Sequence, residues 1–164
     1  MAPLTVFDLL TLHDFAGDLP AGWLHRLAVA GRPVFYRAGT RLFREDAAAE
    51  RLWLVHSGLV AIDFHVPGRG DIVIETIGPG EVLGWSWLRP PHRWHFGAVV
   101  ADDLRAVELD AHVVRELMAE APDFGLEISG RLLDVVAGRL QSARHRLVEL
   151  YAYPGDPTRQ EAEG

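Results

Sequence analysis

The hydrophobic pattern of the chain changes period twice. Between residues 5 and 30, Phe7, Leu9, Leu10, Leu12, Phe15, Leu24, Leu27 and Ala28 recur at helical spacing, interrupted by Gly17 and Pro20. This predicts two short helices, the second starting near Pro20. From Pro33 the period falls to two. The segments VFYRAG, TRLFRE, RLWLVHSG, LVAIDFHV, DIVIETIG, EVLGW, FGAVVAD and LRAVELD are short, rich in β-branched and aromatic residues, and punctuated by Gly, Pro or Asp. Ala38-Gly39, Ser57-Gly58, Pro67-Gly68-Arg69-Gly70 and Pro79-Gly80 supply turn chemistry. Eight short strands at this spacing predict a mainly β fold, a jelly-roll (cupin-like) barrel with flanking helices rather than a βαβ sheet.

After Asp110 the helical period returns. Asp110 is a good N-cap for a helix over about 111–120, closed by Pro122, and a longer helix follows from about Asp123 to Tyr151. Along it Leu126, Ser129, Leu133, Val136, Leu140, Ala143, Leu147 and Leu150 alternate spacings of three and four, the heptad seam of a two-stranded coiled coil. A homodimer is expected through Leu133, Val136, Leu140, Ala143, Leu147 and Leu150. The competing reading, a helix lying on its own barrel, draws on Leu132, Val135 and Val148, which broaden the stripe. The expected organisation is N-terminal helices over 1–32, the barrel over 33–110, C-terminal helices over 111–151 and a polar, disordered tail over 152–164.

Composition narrows the function classes. The 164 residues suit one domain, and 49% hydrophobic with 24% charged residues is ordinary for a soluble globule. The chain has no cysteine, so neither a disulfide framework nor a thiolate metal site is available. No apolar run reaches the roughly 18 residues of a membrane span, and MAPLTVFDLL lacks the features of a signal peptide. A cytoplasmic location with no membrane contact is expected. All 16 basic residues are arginine and the net charge is −7, which argues against nucleic acid as the main partner.

The densest chemistry lies in GPGEVLGWSWLRPPHRWHFGA, residues 78–98. Trp85, Trp87 and Trp94 are mixed there with Arg89, Arg93, His92 and His95. Three readings of the indoles stay open: a filled pocket, an anchor for a partner protein, and a stacking platform for a ligand. A split is expected, with at least one of the three indoles buried as a plug and at least one of Trp87 and Trp94 partly exposed beside Arg89 or Arg93. These arginines flank Pro90-Pro91 and suit a phosphate or carboxylate, or solvent. His92 and His95 form an H-x-x-H pair, with His56 and His65 elsewhere, but no cupin ligand spacing accompanies them and no metal site is expected. No nucleophile–base constellation or paired-acid motif is recognisable, so no enzyme is expected.

The stretch Ala38-Gly39-Thr40-Arg41-Leu42-Phe43-Arg44-Glu45, followed by Arg51-Leu52-Trp53-Leu54-Val55-His56-Ser57-Gly58-Leu59-Val60 and by Gly78-Pro79-Gly80-Glu81-Val82-Leu83-Gly84, resembles the cyclic-nucleotide-binding domain family over about residues 10–151. Asp46 stands where family members carry a left-handed Gly, a conformation Asp adopts at modest cost. The family's phosphate cassette places a glutamate after the last Gly, for the ribose 2′-hydroxyl, and about ten residues later an Arg followed by Ser or Thr for the cyclic phosphate. Here Trp85 takes the glutamate position, and the Arg-Ser pair falls on Trp94-His95, with Arg93 displaced by one. Arg139 matches a base-closing stretch of the catabolite-activator type, whose following Thr-Ser positions are Ala143-Arg144 here.

The resemblance implies a stand-alone regulatory or accessory module that does not bind cyclic AMP in the usual mode. No cofactor is required on this reading. Its candidate ligand-binding residues are Gly84, Trp85, Ser86, Trp87, Arg89, Arg93, Trp94, His95 and Arg139. The alternative is a sensor for another nucleotide, such as NAD(P), attached to a redox enzyme, because the tryptophan-rich cassette also looks similar to small family members associated with [NiFe] hydrogenases. The family's transcription factors continue into a helix-turn-helix; the few residues after Tyr151 leave no room for one, and direct DNA binding is not expected.

Overall fold

The computed structural model describes residues 2–152. The disordered tail expected over 152–164 therefore lies outside the described residues, except for Ala152, which closes the last helix. Contacts divide the chain into two units, residues 1–128 and 129–164.

The first unit opens with α1 (Val6–Leu12) and α2 (Ala21–Val29). A reciprocal pair starts α1: the Thr5 hydroxyl accepts from Asp8 N–H while the Asp8 carboxylate accepts from Thr5 N–H. Pro20 immediately precedes α2, whose Leu24 and Leu27 are buried. Six strands follow: β1 (Gly31–Tyr36), β2 (Arg41–Phe43), β3 (Arg51–Val66), β4 (Gly70–Ile77), β5 (Val82–Leu83) and β6 (Gly97–Asp110). They form one antiparallel sheet in the order β1-β6-β3-β4, with β2 on β6 and β5 on β3.

The eight expected strands are thus six. RLWLVHSG and LVAIDFHV are one strand, β3, and FGAVVAD and LRAVELD are one strand, β6. Ser57-Gly58 is not a turn. The β3–β6 register shifts between Val55 and Val60, and Gly58 sits at φ 92° with its α-carbon pressed on β6. A Cβ there would lie 2.2 Å from the Asp103 carbonyl oxygen, so only glycine lets the strand bulge and bend without leaving its partner.

Where residues 52–55 of β3 pair with 106–109 of β6, the two strands are buried on both faces. Leu52 opposes Leu109 and Leu54 opposes Val107, and this face reaches Val6 of α1 across the bare backbone of Gly31. The other face pairs Trp53 with Glu108 and Val55 with Ala106. Each large aliphatic side chain buried here contributes roughly 1.5–3 kcal/mol.

α3 (Ala111–Glu120) starts where expected, with the Asp110 carboxylate accepting from His112 and Val113 N–H. α4 (Pro122–Ala152) starts on a proline, tolerated because the first helical N–H has no intrahelical partner. Most of α4 belongs to the second unit. Among the expected interface residues Leu133, Leu140, Leu147 and Leu150 are exposed, as is Ala143, and Val136 is half-buried.

Candidate functional site

Gly84 directs the chain out of β5. Its φ of 97° is a conformation that side-chain-bearing residues rarely adopt, and it opens a tight turn in which Leu88 N–H donates to the Trp85 carbonyl. The turn swings the Trp87 indole inward, to 0% exposure, where its N–H donates to the Gly84 carbonyl at 3.0 Å. Arg115 of α3 donates to the Trp87 carbonyl at 2.8 Å and fastens the turn from behind.

The return half of the loop zips onto residues 46–49. Ala49 N–H donates to the His92 carbonyl, Trp94 N–H to that of Ala47, and Asp46 N–H to that of Trp94. Asp46 holds φ 65°, the left-handed geometry expected at this position, and its carbonyl accepts from Arg93 at 2.6 Å. This pairing fixes Trp94, which is 6% exposed. Its indole stacks on Phe43 at 3.9 Å and 13° and lies 6.2 Å from Trp53. A Cβ on Gly84 would meet the far edge of that indole at 2.8 Å. Trp94 therefore fills the space from the Gly84 backbone to Phe43.

The expected division of the indoles is corrected. Trp87 and Trp94 are both buried, and Trp85 is the half-buried one, its ring 5.9 Å from that of the exposed His95. The reason is local: the left-handed Gly84 makes a turn instead of a strand, so Trp85 stands at its exit. Trp87 finds an acceptor inside, and Trp94 occupies the room a missing side chain leaves. Ser86 is half-buried beside them, whereas Arg89 and Arg93 are exposed and Arg93 is spent on the Asp46 carbonyl. Arg139 lies on α4 in the second unit.

Two polar clusters were not legible as sites. Glu108, 3% exposed, accepts from Arg32 Nε at 2.7 Å, Tyr36 Oη at 2.7 Å and Trp53 Nε1 at 3.0 Å, and pairs with a second Arg32 nitrogen at 2.6 Å. Burial pushes its carboxyl up, but the hydrogen bonds from Tyr36, Arg32 and Trp53 together outweigh it and hold it below the ordinary carboxylate range. The sequence clue was a charged residue amid the apolar AVEL of β6. A cavity of about 330 Å³ adjoins this cluster, walled by Phe43, Trp53 and Trp94 and rimmed by Tyr36, Glu50 and Arg51.

The second cluster joins His13 and His56, their rings 5.1 Å apart in a T-shape. His13 is buried, with Nε2 3.0 Å from the Val55 carbonyl and Nδ1 accepting from Phe15 N–H. Burial lowers the basicity of both rings.

Among the described residues no group of three or more His, Asp or Glu side chains could hold a metal ion. No described helix is long and apolar enough to cross a membrane.

Comparison with known proteins matches residues 33–121 to the cyclic nucleotide-binding domain. A CRP-like cAMP-activated global transcriptional regulator of Mycobacterium tuberculosis is 29% identical over 119 residues, covering 73% of this chain and 51% of that protein. The nitrogen fixation regulation protein FixK of Azorhizobium caulinodans is 28% identical over 150 residues, covering 91% and 56%. The chain spans about half the length of these curated relatives. The crystal structure of a cyclic nucleotide-binding domain from Methylobacillus flagellatus shares the fold with a TM-score of 0.72 at 18% identity, over 87% of this chain and 80% of that one. The matched domain covers more than half of the chain, and the protein belongs to the cyclic nucleotide-binding domain family.

Proposed function

We propose that this chain is a dimeric, non-enzymatic regulatory module whose cassette is closed to cyclic nucleotides. One observation carries the reading: the Trp94 indole, at the position of the family's phosphate-gripping Arg, rests against Gly84 and Phe43. The volume between the two halves of the cassette holds protein. The position of the ribose-binding glutamate carries Trp85, whose N–H can donate a hydrogen bond but which has no oxygen to accept one.

Two charge-assisted contacts are therefore missing, each worth roughly 1.5–3 kcal/mol. Their loss amounts to at least about a hundredfold in affinity. Calorimetry with cyclic AMP is expected to show a dissociation constant no tighter than about 100 μM. Sub-micromolar binding would refute a closed cassette.

The row of exposed leucines along α4 supports self-association, since an apolar helical seam left in water is a poor surface for a monomer. The half-buried Trp85 and the exposed His95 and Phe96 support a protein-facing role for the loop. A hydrogenase or other redox-enzyme partner gains no support from the relatives named above.

A further inference from the structure

We infer that the cavity beside the Glu108 cluster is a binding site for a small aromatic zwitterion, in chemical terms an aromatic α-amino acid. The inference goes beyond the cassette reading, because its polar residues all lie outside the cassette.

The ligand class follows from which polar groups are already committed. Two Arg32 nitrogens are held by Glu108, and Glu108 is saturated by Arg32, Tyr36 and Trp53. Arg41, also on the cavity wall, is gripped by both oxygens of the buried Asp63, at 2.7 and 2.8 Å. Besides the third Arg32 nitrogen and the Thr40 oxygen, whose proton goes to the Arg37 carbonyl, three groups are left. The Arg51 guanidinium and the Glu50 carboxylate are exposed on the rim, and neither pairs with a described residue. The Tyr36 hydroxyl gives its proton to Glu108 and keeps its oxygen lone pairs for an incoming donor.

Free guanidinium N–H groups on Arg51 and Arg32 beside the acceptors Glu50, Tyr36 and Thr40 are the complement of a carboxylate and an ammonium carried close together. A dianion would meet Glu50 and the buried Glu108; a simple cation would meet Arg51. The remaining wall is aromatic: Phe43 is half-buried and Trp53 and Trp94 are 4% and 6% exposed, so Phe43 offers most of the apolar contact to a planar group. A volume of about 330 Å³ sits at the low end of small-ligand sites and suits a single aromatic amino acid. The Glu108 cluster serves as scaffold: its hydrogen bonds lock Tyr36 and Trp53 in place before any ligand arrives.

The test is a titration of the full chain with L-phenylalanine, followed by calorimetry and by the change in total tryptophan emission, to which Trp53 and Trp94 contribute. Saturable binding is expected, with phenylacetate and phenethylamine, each lacking one charge, weaker by about tenfold or more. Arg51→Gln and Glu50→Gln are each expected to weaken L-phenylalanine by a similar factor. Both side chains are exposed, so the variants keep the fold, and the analogue comparison uses the unaltered protein. No saturation up to about 10 mM overturns the inference. So does phenylacetate binding as tightly as L-phenylalanine, or indifference to both substitutions.

Discussion

Replacing Trp94 with alanine tests the closed cassette directly. The indole is 6% exposed, stacked on Phe43 and backed by the Gly84 backbone, which cannot follow the withdrawn ring because its φ of 97° is fixed by the turn. Burial of Trp side chains in such settings gives losses of about 3–5 kcal/mol on truncation to Ala. The Phe43 stack accounts for roughly 0.5–1.5 kcal/mol of that. The expected loss for Trp94→Ala is therefore about 4 kcal/mol, a large part of the roughly 5–15 kcal/mol that holds a domain together. Trp85→Ala, at a half-buried position, is expected to lose only about 1 kcal/mol. Urea unfolding of the two variants and the parent, read at unchanged m-value, measures both. If Trp85→Ala costs as much as Trp94→Ala, or Trp94→Ala costs under about 1.5 kcal/mol, Trp94 is not what closes the cassette.

Three further outcomes are expected. His13 is held neutral by donating to Val55 and accepting from Phe15, and its folded basicity is depressed, so unfolded chain takes up the proton first; stability should be complete above about pH 6.5 and decline as pH falls below it. Melting curves between pH 7.5 and 5 read this, and a His13→Gln variant as pH-sensitive as its parent would count against His13. Glu108→Gln replaces an acceptor-only group facing four donor contacts with an amide that accepts on one oxygen, and should lose about 2–4 kcal/mol by thermal melting; no loss would mean the cluster is slack. Leu140→Asp with Leu147→Asp should convert dimer to monomer in sedimentation velocity, and an unchanged mass would discard the α4 seam as the interface.

What was legible in the sequence was what short-range chemistry decides. The helix starts near Pro20 and at Asp110 depend on residues within one turn, so the spacing placed them well. Asp46 could be read as left-handed because the neighbouring family pattern calls for a Gly there. Ser57-Gly58 could not be resolved, since a left-handed Gly serves a turn and a bulge equally well. Only the partner strand decides, and Asp103 of β6 lies 45 residues further on. The clusters around Glu108 and His13 were invisible for the same reason: the first joins side chains from three strands and the second joins two segments some forty residues apart, and no local spacing announces them.

The indoles show how a correct residue list can carry a wrong geometry. Counting along the cassette identified Trp85 and Trp94 as the residues at the two ligand-contacting positions, but which one fills the pocket depends on where Gly84 and Phe43 meet. That meeting has a thermodynamic consequence. A site that binds a ligand in the native state draws stability from it by mass action and gives it up when the ligand leaves. An indole on the chain is always present, so the stabilisation it supplies varies with no metabolite. On the proposed reading the cassette of this chain no longer couples stability to cyclic-nucleotide concentration. Any regulation it performs then has to enter elsewhere: through the loop edge at the half-buried Trp85 and the exposed His95 and Phe96, through the leucine seam of α4, or through the cavity that Trp94 lines.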